Sequence, residues 1–335
     1  MTLIKNNWGL VVVTVLTILT IIVVPLTAPL YITLQITLYF IYALLALSLA
    51  FVWGYGGIFS FGQAAFFGIG GYCYAILAIN IGESTLPVIV GLLLPAGLAL
   101  LLGYFLFYGR LSSVYVAVIT LVLTLIIYKF LGQTAGSKYS IGKALLGGYN
   151  GISNIPPLNL PGNPLKAVLP ENMLYVSGIA LLLTYLGLCF LARSKFGRIV
   201  AGLRENEHRL ELLGYDIRFL KMIVFAIGAF IAAIGGISFA NWNAFIDPHV
   251  FDLSMSAQTI IWVVVGGLGT FLGPIVAAIA LGFITIELGT QQSWDVNVIL
   301  GAVLTLFVFI LPQGIAPSIG GAIAKIQRYS RCKKT

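Results

Sequence analysis

Charged residues are scarce in this sequence. Asp, Glu, Lys and Arg make up only 8% of its 335 residues, whereas hydrophobic residues make up 60%. Soluble globular proteins carry about 25% charged residues. So few charges cannot cover a water-facing surface, which excludes a soluble domain. Segments of about ten residues with alternating polarity, which are typical of a transmembrane β-barrel, are also missing.

Residues that bind metals or catalyse reactions are equally sparse. The chain has three cysteines and two histidines, and they fit no metal-ligand or disulfide spacing. A membrane enzyme would need paired catalytic groups inside the bilayer, and the sequence shows none. We therefore expect no catalytic residue, no metal and no cofactor. The three cysteines are Cys73, Cys189 and Cys332, and the two histidines are His208 and His249.

Long apolar runs are what the sequence has in abundance. About 20 apolar residues cross the hydrocarbon core as a helix, and a helix satisfies its own backbone groups there. The runs predict an all-α, polytopic membrane protein with a single transmembrane domain over residues 1–335 and about eight to ten spans. The predicted spans are 8–28, 32–53, 63–80, 86–108, 113–132, 173–192, 221–241, 257–268, 271–288 and 296–313.

Two of these spans leave alternatives open. The first apolar run resembles a signal peptide, but it is long, contains Pro25 and Pro29, and lacks an obvious cleavage site. We interpret it as a retained span. Near the other end of the chain, 257–268 and 271–288 could form one long bent element instead of two spans.

The distribution of Lys and Arg predicts the orientation, because cytoplasmic loops are enriched in both. With ten spans, the side that holds both termini carries 14 of the 18 basic residues. Both termini are therefore predicted to be cytoplasmic, with a polar cytoplasmic loop at 193–220, a periplasmic loop at 133–172 and a basic tail at 325–335 against the lipid headgroups. The positive charge reflects topology, so we expect no nucleic-acid partner.

The loop at 193–220 is the most charged part of the chain. Its pattern predicts one amphipathic helix from Arg198 to Leu213, ended by Gly214 in the left-handed conformation. Such a helix can dock into a groove on another protein. The four acids of the loop, Glu205, Glu207, Glu211 and Asp216, make the alternative, a helix lying on anionic lipid, less favourable. The apolar stripe is Ile199, Val200, Leu203, Leu210 and Leu213, and the candidate coupling residues are Arg198, Leu203, Arg204, Glu205, Glu207, Leu210 and Gly214.

Glycine-rich segments occur at 53–72 and 263–274. Glycine frees the backbone to break a helix, and it also lets helices pack closely, so both interpretations remain open. Broken helices in membranes often line a substrate path. The candidate path residues are Gly56, Gly57, Ser60, Gln63, Gly266 and Gly267.

The sequence also bears on how transport by this protein would be powered. The predicted spans contain almost no ionisable residue, which argues against a carrier driven by an ion gradient. The chain lacks a GxxxxGK[ST] phosphate loop. An ATP-hydrolysing motor would therefore be another polypeptide, and a passive channel for a small polar solute remains an alternative.

Several ordered blocks together resemble one family, the permeases of bacterial branched-chain amino acid ABC importers, specifically the LivM-type subunit. The blocks include WGYGGIFSFGQAAFFGIGGY, GGYNGISNIPPL, GRIVAGLRENEHRLELLGYD and VVVGGLGTFLGP. The resemblance covers nearly the whole chain after the first span, and it rests on blocks at 43–72, 115–126, 147–158, 197–236, 263–274 and 311–315.

The resemblance implies a multi-pass permease of the bacterial inner membrane that forms a path for branched-chain or other hydrophobic amino acids. It also implies a second permease of the LivH type as a heterodimer partner, two ABC ATPase subunits, a periplasmic substrate-binding protein, and coupling to the ATPase through 198–214. Permeases for urea and short amides are similar. They carry a basic residue where this chain has Leu268, which favours amino acids and leaves urea or a short-chain amide as the alternative.

Overall fold

Helices dominate the computed structural model, which describes residues 8–160, 163–290, 298, 301 and 302. Among these residues, six helices have the length and composition needed to cross a membrane. They are Leu30–Tyr55, Gln63–Ile81, Thr85–Tyr108, Ser113–Gly132, Pro170–Arg193 and Ile217–Asn243. Shorter apolar helices are Val13–Thr27, Leu253–Gly266 and Leu272–Glu287. The prediction of an all-α, polytopic membrane protein is confirmed.

The helices follow one another along the chain, and the longest connection, 133–172, joins α5 to α6. They are α1 Trp8–Thr27, α2 Leu30–Leu49, α3 Gln63–Ile81, α4 Thr85–Gly103, α5 Ser113–Gly132, α6 Met173–Arg193, α7 Lys195–Glu205, α8 Glu207–Leu212, α9 Ile217–Asn243, α10 Leu253–Gly266 and α11 Leu272–Thr290. Helices α2 and α4 continue into π-helical turns, Ala50–Tyr55 and Tyr104–Tyr108.

The predicted spans from 8–28 to 271–288 correspond to helices in the structure. The suggestion that 257–268 and 271–288 form one bent element is wrong, because Gly267, with φ 109, ends α10, and a turn separates it from α11. The predicted span at 296–313, the block at 311–315 and the tail at 325–335 lie outside the described residues, apart from isolated positions.

Helix α9 lies at the centre of the bundle and packs against α2, α3 and α4. It crosses α3 through small residues, because a Cβ on Gly70 would lie 2.9 Å from the Cα of Ala233, and one on Gly236 would overlap the carbonyl of Phe67. Small residues let membrane helices approach closely. Close packing is therefore the role of the glycines at this crossing.

The predicted periplasmic loop at 133–172 forms short antiparallel strand pairs. Strand β1 (Ser140–Ile141) pairs with β2 (Ala144–Leu145). Strand β3 (Ile152–Ser153), β4 (Asn159–Leu160) and β5 (Asn163–Ala167) follow, and β4 pairs with β5. Strand β6 (Phe245–Ile246), which follows α9, pairs with β3 and so fastens the loop to the end of α9.

This end of the bundle lies at the opposite end of α9 from α7 and α8. The 3-10 helix Pro248–Phe251 packs beside α5, and the ring of Phe251 covers Gly68 of α3. Burial raises the pKa of the Asp247 carboxyl above its ordinary value, although the neighbouring His249 acts in the opposite direction. The contacts of Phe251 close the bundle at this end.

The crossing of α3 and α9 yields a test of the fold. We expect Gly236→Ala to lower the free energy of unfolding by about 1–3 kcal/mol, because the added methyl group overpacks the contact with Phe67. Thermal unfolding of the purified protein in detergent would measure the change. The matched control is Gly187→Ala in α6, where a Cβ meets nothing within 4 Å. Equal stability of the two variants would contradict the crossing.

Candidate functional site

The predicted cytoplasmic helix from Arg198 to Leu213 is in fact two helices, α7 and α8, and this prediction of a single helix is wrong. Asn206 lies between them in an extended conformation, with φ −163 and ψ 100, and its side chain accepts a hydrogen bond from the N–H of Arg209 at 2.9 Å. An Asn side chain that caps a new helix competes with continuation of the old one. Residues 195–213, which comprise α7, α8 and the following Leu213, are called the polar segment below.

The predicted apolar stripe of the polar segment is mostly turned towards the rest of the chain. Val200 is fully buried, and Leu203 and Leu210 are 2% and 8% exposed. Leu213 departs from the stripe and is 68% exposed, beside Leu212 at 76%. The break at Asn206 explains this, since it turns the end of α8 away from the face that α7 presents. Leu212 and Leu213 are therefore exposed apolar residues at the end of α8.

The connection from α8 to α9 is held by capping and by an ion pair. Gly214 has φ 84 after the end of α8, so its predicted left-handed conformation is confirmed. Asp216 caps α9 by accepting hydrogen bonds from two backbone N–H groups. The Lys221 ammonium lies 2.7 Å from the Glu207 carboxylate and so joins α9 to α8. These contacts fix the polar segment against the central helix.

The first glycine-rich segment breaks the span that begins with α2. This first break, residues 50–62, comprises the π-helical turn and the connection to α3. Gly57 has φ 75, in the left-handed region that favours glycine. The N–H of Ile58 donates to the Val52 carbonyl at 3.0 Å. The carbonyl of Gly54 is thereby left without a donor from the next turn of its own helix.

The remainder of the first break is held by neighbouring helices. The Phe61 N–H donates to the hydroxyl of Thr120 in α5 at 3.2 Å, and the Ser256 hydroxyl of α10 donates to the Phe61 carbonyl at 3.3 Å. The Ser60 hydroxyl oxygen accepts from the N–H of Gly62 at 3.0 Å. Ser60, a predicted path residue, is therefore buried and occupied by a local turn.

Gln63 differs from Ser60. It is the first residue of α3 and only 1% exposed, yet among the residues that the structure describes neither its amide nitrogen nor its amide oxygen has a hydrogen-bond partner. A buried polar group without a partner is costly, and in native proteins it usually has a functional or solvent-related reason. Gln63 therefore differs from Ser60, whose hydroxyl oxygen already accepts a backbone hydrogen bond.

The second glycine-rich segment also breaks the helical structure. This second break, residues 267–271, joins α10 to α11, and Gly267 and Gly269 have φ 109 and φ 87. The hydroxyl of Thr270 donates to the Gly267 carbonyl at 2.9 Å and closes the turn. A Cβ on Gly266 would overlap Gly273. The predicted path residue Gly266 therefore lets α10 and α11 approach closely.

The two breaks meet each other. A Cβ on Gly54 would lie only 3.1 Å from the backbone nitrogen of Gly269, so the two backbones are nearly in contact. The ring of Tyr55 lies 5.7 Å from that of Phe271, measured between centroids. Aromatic pairs at such distances add to the burial of apolar surface. A glycine at each position is what permits this approach.

Arg204 of the polar segment reaches both breaks. One guanidinium nitrogen, Nη1, donates a hydrogen bond to the Gly54 carbonyl, and a Cβ on Gly269 would lie 2.5 Å from the same nitrogen. A Cβ on Gly57 would lie 3.2 Å from the Cα of Arg204. A cation that donates to a carbonyl at a helix end is favourable because of both the hydrogen bond and the helix dipole.

Tyr55 provides a second connection between the first break and the polar segment. Its hydroxyl donates towards the carbonyls of Ala192, at the end of α6, and Gly197, in α7, at 3.1 and 3.0 Å. The start of α7 and its Arg204 are therefore both fastened to the first break. The polar segment and the two glycine breaks form one connected site.

Two further predicted coupling residues, Arg198 and Glu205, are exposed on α7. Arg198 donates to the Arg193 carbonyl at 3.3 Å, and Glu205 is exposed at the end of α7. Sequence reasoning missed Gly54, Tyr55 and Gly269. All three lie inside the motifs WGYGG and GGLG, but no local pattern indicates a contact between residues about 150 and 215 positions apart along the chain.

The apolar helices and the glycine breaks define a multi-pass membrane protein. A family model described as "Branched-chain amino acid transport system / permease component" matches residues 31–311. The chain belongs to this family of transport permeases. No solved structure matches the chain.

Curated relatives agree with this assignment. The chain is 31% identical over 304 residues to the high-affinity branched-chain amino acid transport permease LivM of Escherichia coli K12, covering 84% of this chain and 69% of the relative. It is 25% identical to a probable LivM permease of Methanocaldococcus jannaschii, covering 83% and 90%. It is also 25% identical to the LivH permease of Salmonella typhimurium, covering 84% and 92%.

Proposed function

We propose that this chain is the permease subunit of an ATP-driven importer of branched-chain or other hydrophobic amino acids in the bacterial inner membrane. The observation that carries the proposal is the connected site, in which a charged segment outside the spans is fastened to the two places where the helices are broken. The family match and the LivM relatives support the substrate class. The scarcity of ionisable residues in the spans supports an external energy source.

The proposal includes partners and an orientation. The similarity to both LivM and LivH permeases supports a heterodimer with a second, homologous permease. Two ATPase subunits would supply the motion and a periplasmic binding protein would deliver the solute. The polar segment would then face the cytoplasm with both termini, and loop 133–172 would face the periplasm, as the positive charges suggest.

The uptake of competing solutes tests this function. We expect the complex of this permease with its partner permease and ATPases, in proteoliposomes with the binding protein, to import leucine only when ATP is present. Excess leucine or isoleucine should reduce uptake of labelled leucine, and urea and acetamide should not. Uptake that needs no ATP would support a passive channel instead, and competition by urea or acetamide would support the amide branch.

The exposed end of α8 is the part of the polar segment that we propose contacts the ATPase. Leu212 and Leu213 are exposed, Tyr215 lies beside them, and acidic and basic residues surround the group. Such mixed charge around an apolar centre suits a protein surface better than an anionic lipid surface. The buried Leu203 and Leu210 would instead pack α7 and α8 against the rest of the chain.

A pair of substitutions separates docking from folding. We expect Leu212→Asp combined with Leu213→Asp to lower ATPase association by about tenfold or more, the scale of losing a central interface residue. Copurification with the ATPase subunits from membranes would measure it. The matched control is Leu169→Asp, an equally apolar residue that is exposed at the opposite end of the bundle. Unchanged association would indicate that this end of α8 lies on lipid.

Gln63 is the path residue that the structure supports best, and we propose that its unpartnered amide binds a polar group of the passing solute. We expect Gln63→Leu to leave thermal stability unchanged or slightly raised, because an apolar group of similar shape replaces an unsatisfied one. Uptake of leucine should fall by about tenfold, the scale of one hydrogen bond to a charged group.

The control for Gln63 is Tyr72→Phe, which leaves the ring unchanged and removes a buried hydroxyl of α3 that also has no hydrogen-bond partner in the described part of the chain. We expect this variant to keep both stability and uptake. If Gln63→Leu instead lost stability and kept the uptake of the folded fraction, the amide would have a structural role only.

A further inference from the structure

Arg204 of the polar segment contacts both glycine breaks, through a hydrogen bond to the Gly54 carbonyl and close packing of its guanidinium against Gly269. We infer that Arg204 is a positioning residue that makes the polar segment and the two breaks move together, so that displacement of α7 is transmitted to both. This inference rests on the proposed function, since it assumes that an ATPase displaces the segment.

The chemistry of the contact between Arg204 and the Gly54 carbonyl suits the transmission of motion from α7 to the breaks. The Gly54 carbonyl lies where the first break has removed its intrahelical donor, and the guanidinium replaces that donor. A hydrogen bond to a charged donor is stronger than a neutral one. Arginine also presents five N–H donors on a rigid plane, so one side chain can bond the first break while it lies against Gly269 of the second.

The packing makes the contact hard to replace. The backbone of Arg204 lies against Gly57, and its guanidinium lies against Gly269. Both glycines have positive φ, 75 and 87. Any side chain at either position would both strain the backbone and push Arg204 away. The two breaks and α7 therefore approach each other through three glycines and one arginine.

Tyr55 completes the connection from the other side. Its hydroxyl holds the junction of α6 and α7 and its ring packs against Phe271. The hydroxyl of Tyr55 bonds the start of α7, and Arg204 near the end of α7 bonds Gly54. The helix is therefore fastened to the first break at two points. A rotation or shift of α7 would therefore act on the first break through these hydrogen bonds, and on the second break through the packing of Arg204 against Gly269.

The coupling between ATP hydrolysis and uptake tests the inference in the full complex, reconstituted in proteoliposomes with leucine as the solute. We expect Arg204→Ala to keep ATPase association and ATP hydrolysis but to lower the leucine imported per ATP by about tenfold, the scale of a lost charged hydrogen bond. Arg204→Lys, which keeps one charged donor, should retain part of the coupling. Lys195→Ala, at the exposed start of α7, is the matched control and should change nothing.

A second variant keeps the test independent of whether Arg204→Ala folds. Gly269→Ala would displace the guanidinium and should reproduce the loss of coupling. Its matched control is Gly82→Ala, which places the same strain at φ 77 with nothing within 4 Å of the added carbon. Backbone strain should lower the stability of both variants. Only Gly269→Ala should also lower coupling, because only its added carbon displaces the guanidinium of Arg204.

A direct readout of the second break is the maleimide labelling rate of Leu268→Cys in a chain without its native cysteines. We expect ATP to change this rate when Arg204 is present and to leave it unchanged in Arg204→Ala. If ATP changes the rate equally in both, and leucine imported per ATP is the same, the inference is overturned. If the unaltered complex imports no leucine with ATP, the proposed function itself fails, which is a different result.

Discussion

The near contact of two backbones, at Gly54 and Gly269, is the constraint on which the rest of the site depends. Gly54 lies in the π-helical turn that follows α2, and Gly269 lies in the turn between α10 and α11. The Gly54 carbonyl lacks a donor from the next turn of its own helix. In a membrane such groups must find partners within the protein. The guanidinium of Arg204 satisfies the Gly54 carbonyl, and in doing so it joins a water-facing segment to the broken spans.

The rigid frame around this contact explains how local motion could have a large effect. Helix α9 crosses α3 through glycine and alanine, too closely for either helix to slide without a clash. The breaks, in contrast, are held by a few side-chain hydrogen bonds, and they contain glycines with positive φ. Motion would therefore concentrate at the breaks, where a few backbone angles can change while the helices stay intact.

Much of the fold was predictable because long apolar runs leave only helices as an option in lipid. The span positions and the left-handed Gly214 followed from local patterns. The single helix from Arg198 to Leu213 did not hold, because Asn206 can cap a new helix and the apolar stripe does not reveal which residues the chain itself covers. Leu203 and Leu210 fit a docking stripe in sequence, but they are buried.

The site was only partly predictable. Composition pointed to the polar segment and to both glycine-rich segments, yet the contact that unites them joins Gly54, Arg204 and Gly269, which are far apart in sequence. Nothing in a single sequence indicates that the guanidinium of Arg204 finds a particular carbonyl. Glycine can either break a helix or let helices pack closely, and the sequence does not distinguish these roles. In the structure, Gly57 lies in a break and Gly236 lies at a helix crossing.

The most direct measurement of the central claim is the distance between spin labels on α7 and on the second break in the reconstituted complex. Labels at Lys195→Cys and Leu268→Cys, each also paired with one at Val118→Cys on α5, would be followed by pulsed electron paramagnetic resonance with and without ATP. The account predicts that the distance from α7 to the second break stays constant while both distances to α5 change together. Movement of α7 relative to α5 with the second break left in place would contradict it.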